Sequence, residues 1–414
     1  MHDKSFLKSG HTPSLVCAFL YFDISFMIWV LLAPLVPVIA PELNLDNAQR
    51  GYLLAVAPLG GAILRLVLGP LADWIGPKKT GMIGMAFTIV PLLLGWLWAD
   101  SFVGLLMVGL MLGVAGASFA VALPMASRWY PPKYQGLALG IAGAGNSGTA
   151  LATLFGPILA KTLGWQAVFG LALIPLTLVF VAFTILAKDA PNQPKPKSAR
   201  EYISVLAQRD AWLFCMFYTV TFGGFLGFCL FLNTYFVNQY GVEKLTAGYL
   251  ATACVISGSL LRPIGGHLAD RFGGVRMLSV LFFGLGGCMA LMALSLPLPV
   301  ALGVMFVAMG LFGMGNGSVF QLVPQRFPKE IGVLTGLAGA AGGLGGFFLN
   351  VILGNFKQFA GSYSWGFAIF AVSALGCGAA VVALGRAWVP GAGGEPQPAS
   401  EPAIANVAEA RSPA

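Results

Sequence analysis

The sequence predicts an all-α membrane protein of twelve transmembrane helices, arranged as two pseudo-symmetric six-helix bundles. Three observations carry that prediction. Hydrophobic residues fill 57% of the 414 positions and charged ones only 9%, at a mean hydropathy of +0.83, where a soluble domain carries about 25% charge. Apolar runs of about 20 residues, the length that crosses a bilayer core, recur along the whole chain. The chain also repeats itself. Arg65-Leu-Val-Leu-Gly69-Pro-Leu-Ala-Asp73 returns as Arg262-Pro-Ile-Gly-Gly266-His-Leu-Ala-Asp270, and both 262 − 65 and 270 − 73 equal 197.

The elements follow in order. A polar tail, expected in the cytoplasm, covers 1–14 and holds Lys4 and Lys8. Spans 1 to 6 are read at 15–40, 49–73, 81–99, 103–126, 136–160 and 165–187, giving an N-terminal bundle over 15–187. The longest polar stretch, 188–210, carries Lys-Asp-Ala-Pro-Asn-Gln-Pro-Lys-Pro-Lys-Ser and reads as a cytoplasmic linker. Spans 7 to 12 are read at 211–237, 245–268, 277–297, 299–323, 332–357 and 364–388, a C-terminal bundle over 211–388. The Pro/Ala-rich stretch 389–414 reads as a disordered cytoplasmic tail. The first apolar run is expected to act as an uncleaved anchor, with no cleavable signal peptide apparent.

Lysine and arginine set the orientation. With the N-terminus inside, seventeen of the 23 fall in cytoplasmic segments and four (Arg50, Lys161, Lys244 and Lys357) in outer ones, the remaining two being Arg65 and Arg262. Both termini are therefore expected in the cytoplasm. The net charge of +8 reflects this topology, and no nucleic acid is needed to explain it. The six cysteines all fall in spans and show no disulfide or zinc spacing. Three histidines, two of them in the N-terminal tail, form no metal cluster. No cofactor is expected.

A second internal match supports the duplication: Gly136-Leu-Ala-Leu-Gly140-Ile-Ala-Gly143 pairs with Gly332-Val-Leu-Thr-Gly336-Leu-Ala-Gly339 at an offset of 196. Span 2 thus answers span 8, and span 5 answers span 11. Two parallel halves of six helices, each built from three-helix repeats, describe the major facilitator architecture. The loops after spans 2 and 8 resemble that superfamily's motif. They hold Asp73 and Lys79 in the first copy, and Asp270, Arg271 and Arg276 in the second. A carboxylate at a helix end beside basic residues can hold the inner ends of two helices together and release them as the halves rock. These five residues are therefore gating candidates.

An intramembrane arginine cannot shed its proton to escape burial, and each costs roughly 2.5–3.5 kcal/mol at a helix centre. Two of them, with few carboxylates near in sequence, call for a small anion held between the halves. The glycine segments allow close backbone approach. Gly143-Ala-Gly145-Asn146-Ser-Gly148 fits G-x-G-x-x-G, but no strand precedes it and no acidic residue follows at about 20 positions, so a dinucleotide fold is excluded. A phosphate-binding loop fails because Thr149 stands where its lysine belongs.

With Arg65 in span 2, Arg262 in span 8, and glycine-rich segments Gly140–Gly148 in span 5 and Gly336–Gly346 in span 11, the chain resembles the nitrate/nitrite porter family of NarK and NasA type. The resemblance covers all twelve spans. It implies that the arginines clamp the anion, that Asn146 hydrogen-bonds it, and that Phe119, Tyr218, Phe222 and Phe26 enclose it. It also places Gly143, Gly145, Gly339, Gly342 and Gly343 at the site. Where the family often carries a bulky residue in the span-5 motif, this chain has Ala144. A guanidinium fork suits a planar monovalent anion independently of any family.

Asp23 is the one acid placed well inside a span. Membrane carboxylates commonly mark proton paths, and the alternatives are a structural partner for an arginine or hydroxyl, or a position near the interface. The expected function is secondary-active nitrate import into a bacterial cytoplasm across the inner membrane, with nitrate assimilation and respiration both left open as its role. Nitrate and nitrite are the substrates, protons the coupling ion, and the lipid bilayer the setting of a monomer. Nitrate/nitrite antiport and a facilitator for another small or organic anion remain open. A membrane sensor lacks an output domain here, and an enzyme lacks any nucleophile–base pair or metal cluster.

Overall fold

The computed structural model describes residues 6–191, 204–327 and 331–385. Most of the predicted linker and the whole predicted tail 389–414 lie outside the described residues. Among those described, eleven helices are long and apolar enough to cross a membrane. They are span 1 (Thr12–Glu42), span 2 (Asn47–Ile75), span 3 (Pro77–Leu97), span 4 (Phe102–Ser127), span 6 (Trp165–Leu186) and span 7 (Arg209–Tyr240). The rest are span 8 (Lys244–Phe272), span 9 (Gly274–Met292), span 10 (Leu298–Arg326), span 11 (Ile331–Ala360) and span 12 (Ser364–Gly385).

Span 5 is present but broken. An α-helix over Pro132–Gly143 gives way to a 3-10 turn at Ala144–Ser147 and resumes at Gly148–Leu163. Glycine content alone does not break it, because the more glycine-rich span 11 is one continuous helix. The difference lies across the interface with span 1. Ser147 Oγ donates to Asp23 Oδ1 at 2.7 Å, and Gly148 packs against the Asp23 backbone so closely that a Cβ would not fit. A short 3-10 segment inside a helix often marks a functional hinge.

Local chemistry fixes the helix ends. Span 2 starts on a capping box: Asp46 Oδ1 accepts from the Gln49 amide at 2.7 Å, and the Gln49 side chain accepts from the Asp46 amide at 3.0 Å. Asp189, just beyond span 6, accepts from the Lys78 amide at 2.8 Å and so caps span 3 from a distance. The turns reproduce the duplication. Gly76 (φ +91°) between spans 2 and 3 answers Gly273 (φ +89°) between spans 8 and 9, and 273 − 76 is again 197. Gly164 and Gly361 form a second such pair at the same offset (361 − 164), both with positive φ. Only glycine adopts these dihedrals without strain.

Hydrogen bonds bridge the two bundles at the end remote from the chain termini. Arg50 Nη1 donates to Asn238 Oδ1 at 3.0 Å, and the Asn47 amide donates to Gln358 Oε1 at 3.1 Å. Lys161 pairs with Glu243 at 3.3 Å, and Thr153 and Thr252 share a hydrogen bond of 3.0 Å deeper in. Toward the other end, Gly140, Gly143 and Gly336 face open space. The molecule is therefore pinned shut at one end, with voids along spans 5 and 11 toward the end where span 1 begins and span 12 finishes.

Candidate functional site

Arg65 and Arg262 meet in the middle of the molecule, where the two bundles face each other. Arg65 is 1% exposed and Arg262 8%. Backbone carbonyls hold part of Arg65: Nε donates to the Gly116 oxygen at 3.0 Å, and Nη1 donates to the Gly339 oxygen at 2.5 Å. The first carbonyl lies on span 4 of its own bundle, the second on span 11 of the other. Span 11 comes this close because Gly343 presses on Ala62 and the Pro58 carbonyl of span 2, where a larger residue would collide. A Cβ at Gly339 would lie 3.4 Å from Arg65 Nη1.

Arg65 Nη2 and Arg262 Nη1 have no hydrogen-bond partner. Arg262 Nη2 reaches only the Tyr218 hydroxyl, at 3.5 Å. No carboxylate among the described residues ion-pairs with either guanidinium. An unpaired donor in a dry interior forfeits about 1–3 kcal/mol, more when charged. The pair also repels itself, since both guanidiniums stand within 6 Å of the same Phe119 ring and like charges at such range raise each other's energy. One anion between them would supply both missing acceptors and reverse the sign of the Coulomb interaction.

Aromatic rings close the space. The Arg65 guanidinium stands 5.0 Å from the Trp29 ring centre, 5.5 Å from Phe119 and 5.2 Å from Phe222. The Arg262 guanidinium stands 5.8 Å from the same Phe119 ring. Tyr218 and Phe222 stack in parallel with centroids 5.0 Å apart, and Phe26 packs on Phe222 at 6.3 Å. Each cation–π contact in such a desolvated place contributes up to about 2 kcal/mol, which keeps the arginines tolerable while the anion is absent.

The sequence-derived residues therefore converge, with differences in role. Arg65, Arg262, Phe119, Tyr218, Phe222 and Phe26 lie in one cluster. Asn146 is fully buried in the broken segment of span 5, which packs against span 8, and both its amide atoms lack partners. Gly339 and Gly342 touch Arg65 and the Phe222–Tyr218 pair respectively. Gly145 is instead filled by Phe22 and Asp23 of span 1, and Gly143 borders a void. Asp23 is 8% exposed and held by Ser147, so its partner is a hydroxyl.

Of the gating candidates, Asp73 forms an ion pair of 2.6 Å with Arg128 at the end of span 4. Arg128 is one of the seventeen cytoplasmic lysines and arginines counted in the sequence. Lys79, Asp270, Arg271 and Arg276 are exposed, and Arg271 lies over the neighbouring Phe272 ring at 5.4 Å. The second copy does not repeat the first: Arg326 pairs with Asp210 of span 7 at 3.1 Å.

Two site residues escaped the sequence reading. Trp29 fixes its ring under Arg65 by donating from Nε1 to the Ala57 carbonyl at 2.7 Å. Phe320 packs on both Tyr218 (5.0 Å) and Phe119 (5.9 Å). The Gly315-Asn316-Gly317-Ser318 run just before Phe320 is the signal that marks this stretch of span 10.

Comparison with known proteins gives the family and the fold. The family model described as Major Facilitator Superfamily matches residues 17–350. The chain is 32% identical over 366 residues to the nitrite extrusion protein of Bacillus subtilis, covering 88% of this chain and 91% of that one. It is 31% identical to a probable nitrate transporter, NarT, of Staphylococcus haemolyticus, over 84% of this chain and 90% of the relative. A probable nitrate/nitrite antiporter, NarK1, of Thermus thermophilus is 29% identical over 80% of this chain and 82% of its own length. Among solved structures, an inward-facing, occupied bacterial homolog of the human lysosomal transporter Spinster superposes with a TM-score of 0.64 at 17% identity. It spans 90% of this chain and 96% of that one, and this likeness speaks to the fold.

Proposed function

This chain belongs to the nitrate/nitrite porter family of the Major Facilitator Superfamily, and we propose that it is a proton-coupled, secondary-active nitrate importer. It is a multi-pass membrane protein; the proposed setting is a bacterial cytoplasmic membrane, with both termini inside and a single chain as the working unit. The observation that carries the reading is the buried pair of guanidiniums, each with one nitrogen lacking an acceptor and neither, among the described residues, neutralised by a carboxylate.

The site's chemistry supports each step. Arg65 and Arg262 bind a planar oxyanion from opposite bundles, so the ion is the bridge that draws the halves together. Asn146 offers a neutral donor from the hinge of span 5. The aromatic rings exclude water and limit the slot to a small ion. Charge balance argues for coupling. Carrying one negative charge inward against about −150 mV costs roughly 3.5 kcal/mol, so a uniporter would hold internal nitrate some 300-fold lower than external, at ~1.4 kcal/mol per tenfold. Co-transported protons reverse that, and Asp23 is the carboxylate beside the hinge that carries Asn146.

Nitrate/nitrite exchange is the second reading, favoured by the likeness to relatives named for antiport and for nitrite extrusion. Liposome uptake of nitrate with the pH gradient, the voltage and internal nitrite varied separately distinguishes the two. Symport predicts uptake driven by an inward proton gradient in nitrite-free vesicles. Uptake that occurs only with internal nitrite would replace symport by exchange.

Alternating access makes a further prediction at the pinned end. A Thr153→Cys, Thr252→Cys pair, replacing hydroxyls 3.0 Å apart across the bundles, is expected to form a disulfide under oxidation. That bond should reduce uptake to background, and a reductant should restore it. Unimpaired uptake in fully cross-linked protein would mean that this end need not open.

A further inference from the structure

Buried polar groups without partners call for an explanation, and an unseen water or ion is one. Besides the arginines and Asn146, three such side chains lie one helical turn from residues of the anion site. Thr221 follows Tyr218 by three positions in span 7, Ser259 precedes Arg262 by three in span 8, and Asn316 precedes Phe320 by four in span 10. Their hydroxyl and amide atoms are buried and unpartnered. Span 7 runs toward the pinned end, whereas spans 8 and 10 run away from it. All three residues are therefore displaced the same way, by about 4.5–6 Å toward the pinned end.

Packing brings them together. Gly315 lies against Thr221, where an added Cβ would come within 2.8 Å of its methyl group, and Gly317 lies against the backbone carbonyl of Arg262. The two glycines flanking Asn316 thus seat that residue between spans 7 and 8. Asn316 is 0% exposed, and neither its Nδ2 nor its Oδ1 has a partner. The N-terminal bundle thus supplies a guanidinium and an orphaned amide, Arg65 and Asn146, and the C-terminal bundle supplies Arg262 and Asn316, with Asn233 of span 7 a further orphaned amide nearer the pinned end.

Two guanidiniums can satisfy two oxygens, which is all that nitrite has, whereas nitrate presents a third. We propose that Asn316 donates to this third oxygen and thereby sets a preference for nitrate over nitrite, with Thr221 and Ser259 completing an uncharged extension of the arginine site. This rests on the nitrate reading of that site and deepens it.

The test is equilibrium binding of nitrate and of nitrite, each alone, to the purified full-length chain and to its Asn316→Ala and Asn316→Leu variants. The leucine fills the amide's volume without a donor, so a shift common to both variants is not due to a cavity. The expected result is a rise of about tenfold in the nitrate Kd, with the nitrite Kd changed less than twofold. The ratio of the two constants is unaffected by any inactive fraction of protein. An unchanged ratio, whether both ions still bind or both bind less tightly, overturns the assignment of Asn316. If the unsubstituted chain binds neither ion, the nitrate reading falls and this inference with it.

Discussion

Nitrate uptake is expected to fall about 10- to 100-fold when either Arg65 or Arg262 is replaced by lysine, because a charge-assisted hydrogen bond contributes about 1.5–3 kcal/mol. Lysine keeps the positive charge, so simple electrostatic attraction survives the change. What it loses is the planar fork. In Arg65, three nitrogens act at once: Nε fixes the group to the Gly116 carbonyl, Nη1 reaches Gly339 across the bundle interface, and Nη2 is left for the anion. A single ammonium cannot hold both carbonyls and the ion. Arg65→Lys therefore weakens both anchoring and binding, whereas Arg262→Lys removes the donor opposite Tyr218. Initial rates in proteoliposomes, normalised to the amount of monodisperse protein, check this. Undiminished uptake in both variants would show that charge alone suffices.

The second large effect concerns coupling. Asp23→Asn is expected to bring pH-driven nitrate uptake to the level seen without a gradient, while nitrate counterflow across the same vesicles persists. Asparagine keeps an oxygen that can accept from Ser147 at the position now 2.7 Å away, so the hinge of span 5 retains its geometry. Only the ability to take up and release a proton disappears. Counterflow requires the loaded carrier to cycle but no net proton movement, which separates loss of coupling from loss of folding. Full pH-driven uptake in the variant would remove Asp23 from the proton path.

Much of this architecture is legible in the chain because lipid imposes simple rules. A span must be about 20 apolar residues long, and the duplication shows itself in Arg65/Arg262 and Asp73/Asp270 at a constant spacing of 197. The positive-φ glycines at Gly76 and Gly273 confirm the repeat in backbone conformation. What sequence could not supply depends on partners far apart in the chain. The break in span 5 follows from contact with Asp23, 124 residues away. The ion pair of Asp73 with Arg128 spans 55 residues, and nothing in the motif beside Asp73 names that partner. The second gating copy diverges for the same reason, since Arg326 finds Asp210 instead of Asp270. Trp29 and Phe320 were invisible as site residues because an aromatic on a membrane helix is ordinarily a packing residue. Only the position of Arg65 over Trp29, and of Phe320 against Tyr218, distinguishes them.

Asn146 shows the limit from the other side. Its place in a glycine-rich segment was readable, but the glycines around it serve different ends. Gly145 and Gly148 seat span 5 on span 1, whereas Gly339 and Gly343 bring span 11 to Arg65. Thin helix walls here mainly allow the two bundles to approach until one guanidinium touches both. The proposed anion site is a product of that approach.

The central claim is that Arg65 Nη2 and Arg262 Nη1, both lacking acceptors, are completed by one small oxyanion at the bundle interface. An experimental structure of the chain determined with nitrate tests it most directly. The account predicts a planar density between the two guanidiniums, within hydrogen-bond distance of both unpartnered nitrogens and bounded by the Phe119 ring. Nitrate bound elsewhere, with those two nitrogens facing lipid or a carboxylate instead, would contradict it.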